Sequence, residues 1–275
     1  MSTTIEYWDV NGTSLHTLAW NIETLQGRSR VPLLRGDNSV VTYRPGSIWR
    51  AKAPDSRVLS LAMWVLGCNT DGSAPSSGSA RAKFNDNRDQ LVRLFYSPDA
   101  QLSLTKRWIT STGLKTAIAQ AELVSDMDTA MMGRDGAQFV VDLRLADPYF
   151  YGVSQNSGNI AVSTPLVVNN PGMAKVVAMT VRFTGSLTNP KLTNATPNPD
   201  VWVQYTGVIS TGSDYVQLDT DQFTAVDDAA ANVIGDITHA GSREWMVLAP
   251  GDNTLTLTAS AGTGTALVTF QPPYI

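Results

Sequence analysis

The sequence predicts a mainly β chain in two domains, residues 1–152 and 153–275: a sandwich or split-barrel-like first domain with one helix and a long hairpin, then a β-sandwich. Three observations predict it. Strict apolar alternation recurs in both halves, as at 138–145, where Phe139, Val141, Leu143 and Leu145 share one face. A sustained helical period occurs only at 80–96. Near the middle, Asp147-Pro148-Tyr149-Phe150-Tyr151-Gly152 interrupts the pattern: proline lacks an amide donor and disfavours helix before it, so a central strand should end there. Pro148, Tyr149, Phe150 and Tyr151 are the expected anchor between the domains, and a polar stretch follows at 153–159.

The chain has 275 residues, enough for two domains at roughly 150 residues each. With 43% hydrophobic and 16% charged residues, it can bury a core in each half. Residues 1–152 carry 16 Lys and Arg against 15 Asp and Glu, and the remainder 4 against 9, so the halves bear +1 and −5. Without a basic cluster, no nucleic-acid specificity is expected, because phosphate binding needs concentrated cations. The single cysteine, Cys68, excludes an internal disulfide and a multi-cysteine zinc site, and fits folding in a reducing cytoplasm. The first residues lack the basic start and apolar run of a secretory signal. No stretch approaches the roughly 20 apolar residues of a membrane span.

In order, residues 5–10 read as a strand, Asn11-Gly12 as a tight turn and 15–20 as the return strand. Arg28, Arg30 and Arg35 lie in loops, and Tyr43-Arg44-Pro45-Gly46 makes another turn before Trp49. At 57–66, Leu59, Leu61, Met63 and Val65 alternate with Val58, Ala62, Trp64 and Leu66, which predicts a strand covered on both faces. After a polar loop, Ser79 is the expected N-cap of the helix, with Phe84, Leu91, Leu94 and Phe95 on its packing side and Ser97-Pro98 as its stop. Residues 102–108 and 115–124 form the long hairpin across 110–113. The loop at 125–136 places Met127, Met131 and Met132 among charges including Arg134. It is either an adaptable protein-contact surface or a cap on the core.

The second half reads as short strands at 160–168, 176–183, 201–209, 215–218, 245–248, 253–259 and 266–270, with turns rich in Asn, Pro and Gly between them. Trp202, Tyr205, Tyr215 and Trp245 are candidate sugar contacts, against the alternative of a buried aromatic. Gly262-Thr263-Gly264-Thr265 lacks the Lys-Ser/Thr of a phosphate loop and reads as a hairpin turn.

No catalytic set emerges, so no enzyme activity is expected. His16 and His239 stand apart in different halves, without the spacing of a metal pair. Asp126 with Asp128, and Asp227 with Asp228, sit in turn-like sequence where Asp accepts from backbone amides. Neither a metal nor a cofactor is implied.

With both halves read, the chain resembles the distal tail proteins of long-tailed, non-contractile bacteriophages, also called phage tail family or minor tail proteins. The resemblance is in motif order: Leu34-Arg35-Gly36, Tyr43-Arg44-Pro45-Gly46, the 59–67 strand with Asp71-Gly72 after it, the helix end Leu94-Phe95, and 143–151. Asn169-Asn170-Pro171-Gly172, Thr188-Asn189-Pro190, 215–220 and 245–253 continue it. It implies a first domain that builds a hexameric ring continuing the tail tube, and a galectin-like C-terminal sandwich projecting outward. It also implies tail tube protein and tail-tip hub or tail-associated protein as partners, receptor-binding proteins carried there, and a place at the virion tail tip after synthesis in the bacterial cytoplasm. The residues most available for ring contacts are Trp108, Met127, Met131, Met132 and Arg134. The competing class is a carbohydrate-binding module that recognises host cell-surface glycans.

Overall fold

The computed structural model describes residues 6–27, 31–36, 39–40, 47–48, 52–127, 129–197, 199–240 and 245–275. The expected turn at 43–46, with Arg28, Arg30, Trp49 and Asp128, lies outside them. Strands take 53% of the chain and helix 8%, a mainly β fold with one α-helix among the described residues. Internal contacts divide the chain into two compact units, Met1–Phe150 with Ile275, and Tyr151–Tyr274.

The first unit opens with β1 (Glu6–Val10) and β2 (Thr13–Ser14), joined through Asn11 and Gly12 at φ 49° and 76°, the left-handed pair of a two-residue hairpin turn. The expected return strand stops there. The Thr17 hydroxyl accepts from the Ala19 and Trp20 amides and turns the chain into β3 (Trp20–Gln26). Two ribbons follow, β4 (Leu34–Arg35) on β7 (Ala53–Pro54) and β5 (Ser39–Val40) on β6 (Ser47–Ile48). Next come β8 (Arg57–Leu66), α1 (Ala80–Phe95), β9 (Leu102–Thr110), β10 (Gly113–Leu123), β11 (Thr129–Met131) and β12 (Gly136–Leu145). The order across the sheet is β2-β1-β9-β10-β12-β8-β3, with β11 beside β12.

Alternation decides which side chains enter the core. Leu59, Leu61, Met63 and Val65 of β8 and Phe139, Val141, Leu143 and Leu145 of β12 are all buried. Phe84, Leu91 and Phe95 of α1 are buried too, and α1 packs against β8. The Ser79 hydroxyl caps the helix by accepting from the Ala82 amide at 3.2 Å. Asn87 is a buried polar residue that the helical pattern did not flag: its Nδ2 donates to the Leu66 and Cys68 carbonyls, both at 2.8 Å, and ties the helix to the end of β8.

One expectation is corrected. Among the described residues the second face of β8 is only partly covered: Val58 is 48% exposed and Leu66 is exposed, Ala62 and Trp64 are half-buried, and Val140, opposite Ala62 on β12, is 49% exposed. The reason is that the only described helix lies on one side of the sheet.

β13 (Phe150–Gly152) leads into the second unit. Its strands are β14 (Gln155–Asn156), β15 (Ile160–Ala161), β16 (Leu166–Asn170), β17 (Met179–Thr188), β18 (Lys191–Asn194), β19 (Val201–Tyr205), β20 (Val208–Ile209), β21 (Tyr215–Asp219), β22 (Thr224–Asp227), β23 (Ile237–His239), β24 (Gly251–Thr258), β25 (Ala261–Phe270) and β26 (Pro273–Tyr274). One sheet runs β14-β25-β17-β21-β22, and the other β16-β24-β18-β19-β23. Val181, Phe183, Val216, Leu218, Ala266 and Val268 from the first join Val168, Leu192, Val203, Leu255 and Leu257 from the second in one buried cluster, the core of a sandwich.

Several strand limits differ from expectation. The 160–168 stretch is broken where Ser163 takes φ 61°, and 201–209 is broken between Tyr205 and Val208. Val176 makes only an isolated bridge to Leu248, and 245–248 is not a strand. Gly262 to Thr265 is not a turn but lies inside β25, paired with β17. A Cβ on Gly264 would meet the Thr184 carbonyl at 2.4 Å, so these glycines serve the close approach of two strands.

Candidate assembly surfaces

The long hairpin is one surface. β9 and β10 pair without interruption from Ala121↔Leu102 to Gly113↔Thr110, and among the described residues β1 accompanies β9 as far as Glu6↔Trp108. Beyond that point Ile109 and Leu114 face each other across the tip, 59% and 64% exposed, with Ile118 exposed lower down. Below the tip the hairpin is firmly tied. Lys106 is buried, with Nζ 5.7 Å from the centre of the Trp8 ring, 5.2 Å from that of Trp108 and 3.8 Å from the Glu6 carboxylate. Arg107 pairs with Asp9 on the other face. Trp108 itself is half-buried and covered by Lys106.

The half-exposed second face of β8 and β12 is the other surface. Ala62 and Val140 lie opposite each other in register and floor a cleft of about 380 Å³ that Glu23, Asp126, Ala130 and Gln138 also line. Glu23 sits where the register of β3 shifts between Ile22 and Thr24, and its carboxylate accepts from Gln138 Nε2 at 2.7 Å. In the adjoining loop Met127 is half-buried, whereas Met131, Met132 and Arg134 are exposed. The Arg134 carbonyl accepts from Arg81 Nη1 at 2.5 Å, which fastens the loop to α1.

The aromatics at 148–151 fall into different surroundings. Pro148 is buried and Tyr149 half-buried in the first unit, where burial and then Asp147 raise the Tyr149 phenol above its usual pKa. Phe150 is buried in the same unit, edge-on to Trp8 at 5.6 Å and beneath the Arg57 guanidinium at 5.2 Å. Tyr151 counts with the second unit.

The four proposed sugar contacts do not converge. Trp202 lies on β19 with Lys191 Nζ 4.1 Å from the centre of its ring, and Tyr215 lies on the opposite sheet with the Arg182 guanidinium 3.7 Å from its ring centre. Trp245 is buried, edge-on to Phe223 at 5.4 Å and stacked with His239 at 6.1 Å. Tyr205 is half-buried, and its phenol is raised by burial and then by Asp236 and Asp227.

Among the described residues no group of three or more His, Cys, Asp and Glu side chains is placed to hold a metal ion. Asp227 accepts from the Ala229 and Ala231 amides, the turn role its sequence suggests. Among the same residues no helix is long and apolar enough to cross a membrane.

The sequence matches no family model and no curated protein. By its fold the chain is a mainly β protein of two compact units, and that fold is shared with solved phage tail proteins. A solved structure described as SPP1 Dit (gp 19.1), a paradigm of the hub adsorption apparatus in phages infecting Gram-positive bacteria, matches at TM-score 0.68 and 14% identity, covering 98% of this chain and 100% of its own. A second match, within the phage P2 baseplate in its activated conformation with calcium, has TM-score 0.42 and 8% identity over 97% of this chain and 98% of its own.

Proposed function

We propose that this chain is a structural protein of the distal end of a phage tail, forming a sixfold ring that joins the tail tube to the tail-tip hub and supports the parts that reach the host. The observation that carries this reading is the likeness to SPP1 Dit, which extends through both units and not one shared sandwich alone. The exposed hairpin tip and, among the described residues, the half-exposed second face of β8 and β12 support self-association, since apolar surface of this kind favours a protein contact. Trp108, Met127, Met131, Met132 and Arg134 are the first residues to test there.

Native mass spectrometry with negative-stain imaging tests the reading. A closed sixfold ring with a lumen is the expected result. A chain that stays monomeric at high concentration, and still does so with tube and hub proteins added, overturns it.

A further inference from the structure

We infer that the outer face of the sheet β14-β25-β17-β21-β22 binds a sugar that carries a carboxylate, with Arg182 as the anion contact and the cleft beside Thr180 and Thr269 as the seat of the sugar. The inference goes beyond the proposed assembly role and stands whether or not the chain closes a sixfold ring.

Along β17 the side chains alternate: Val181 and Phe183 enter the core, and Thr180, Arg182 and Thr184 are half-buried on the other face. The register sets their neighbours. Leu267 and Gln217 flank Arg182, Thr265 and Tyr215 flank Thr184, and Thr269 and Asp219 flank Thr180. Residues directly opposite in an antiparallel pair share a face, so hydroxyl and amide groups surround one cation here. The Arg182 guanidinium lies 3.7 Å from the centre of the Tyr215 ring, and among the described residues that ring is its only partner. Stacking fixes the plane of the guanidinium and leaves the N–H fork at its edge open to a bidentate carboxylate. Asp219 faces into its own turn, where its Oδ1 accepts from the Asp221 and Gln222 amides.

Beside Arg182 the surface becomes concave. Ser154, Thr180, Thr269 and Gln271, with Tyr151 and Phe270, line a cleft of about 200 Å³ within the second unit. Hydroxyls and a carboxamide match the donors and acceptors of a sugar, and an aromatic side chain offers it a flat apolar surface. The Thr269 hydroxyl donates to Asn156 Oδ1 at 2.8 Å, which leaves its oxygen to accept from a sugar hydroxyl. A peptide fits less well: β17 is paired with β21 on one side and β25 on the other, so no strand can be added to it. Residues 153–275 hold 4 Lys and Arg against 9 Asp and Glu, a balance that repels a polyanion, whereas one fixed guanidinium suits one carboxylate.

Saturation-transfer NMR on the full chain tests the site, since it reads small ligands whatever the state of assembly. The probes are the methyl glycosides of glucuronic and galacturonic acid, the neutral glucose and galactose counterparts, acetate and N-acetylaspartate. At least one acidic glycoside should bind about tenfold more tightly than its neutral counterpart, and Arg182→Gln should remove that difference. Arg182→Lys, which keeps the charge without the fork, should retain part of it. Lys191→Gln, beside Trp202 on the other sheet, should change nothing. Thr269→Val should weaken acidic and neutral glycosides alike.

Failure of both acidic glycosides to bind, or binding that Arg182→Gln leaves untouched, overturns the inference. Acetate or N-acetylaspartate bound as tightly as the acidic glycosides overturns it too, because the site would then read a bare carboxylate, or that of a protein partner, without seating a sugar.

Discussion

Asn194 donates from Nδ2 to Oδ1 of Asn253 at 3.0 Å, and both side chains are fully buried between the sheets of the second unit. Asn253 Oδ1 also accepts from the Ala249 amide at 2.8 Å, and its Nδ2 donates to the Ala249 and Gly251 carbonyls at 2.8 and 2.9 Å. The residue closes the loop entering β24 in the way a backbone turn would. Asn253→Ala strands several of these groups at once, and losing a partner from a buried polar group costs about 1–3 kcal/mol. The expected loss is about 3–4 kcal/mol in urea unfolding of the second unit. Asn194→Ala should cost less, and the double variant should lose less than the sum. Strict additivity would show that the two amides do not act together.

A second test uses backbone geometry. Gly262 has φ 92°, and a Cβ there would lie 2.0 Å from the Ser186 carbonyl, while Gly251 has φ 86° with nothing within 4 Å. Gly262→Ala therefore carries both conformational strain and a clash with the paired strand, and roughly 2–4 kcal/mol is expected. Gly251→Ala carries strain alone, about 1 kcal/mol. Equal losses in the two variants would mean that the close approach of β17 and β25 contributes nothing.

These two sites also mark where sequence reading succeeds and where it stops. The alternation of β8 and β12 and the stripe of α1 are legible because one side chain in two along a strand, or about one in every three or four along a helix, must be apolar to reach a core. Gly262 and Gly264 were misread because glycine is equally at home in a turn and in a strand that another backbone crowds. Nothing local distinguishes the two. The apolar second face of β8 predicted a cover that the described residues supply only in part. The aromatic candidates separated for a similar reason: composition places Trp245 and Trp202 in the same class, whereas burial by Phe223 and His239 places only the first in the core. Lys106 gave no signal at all, since its burial depends on Trp8, nearly a hundred residues away in sequence.

The Lys106 and Glu6 pair makes an unusual prediction about charge. Removing one partner of a buried pair takes from the other charge a contact that offsets its desolvation, while replacing both partners by uncharged chains of similar size can be nearly neutral. Lys106 side-chain exposure is 9% and that of Glu6 15%. The double variant of Glu6→Gln with Lys106→Met, whose thioether still fills the space beside Trp8 and Trp108, should thus lose less stability than the sum of the two single changes. Thermal unfolding of the two single variants and the double variant decides it, and strict additivity would show that the ammonium is held by the aromatic rings and not by the carboxylate.

The pH dependence of the first unit should carry the mark of His16. Burial lowers its pKa from the ordinary 6.5, against smaller opposing effects from the neighbouring Asn21 side chain and the nearby Asp9 carboxylate, while Arg107 lowers it further. The ring stands edge-on to Tyr7 at 5.8 Å. Because the folded pKa lies below the unfolded one, the unfolded chain takes up its proton first as the solution is acidified. Stability from the neutral imidazole is complete above pH 6.5 and is lost as pH falls through 6.5 towards the lower folded value. Replacement by a side chain that does not titrate, His16→Gln, should flatten stability between pH 7 and pH 5. Urea midpoints measured at several pH values check it: an unchanged slope would assign the acid sensitivity of this unit to its carboxylates.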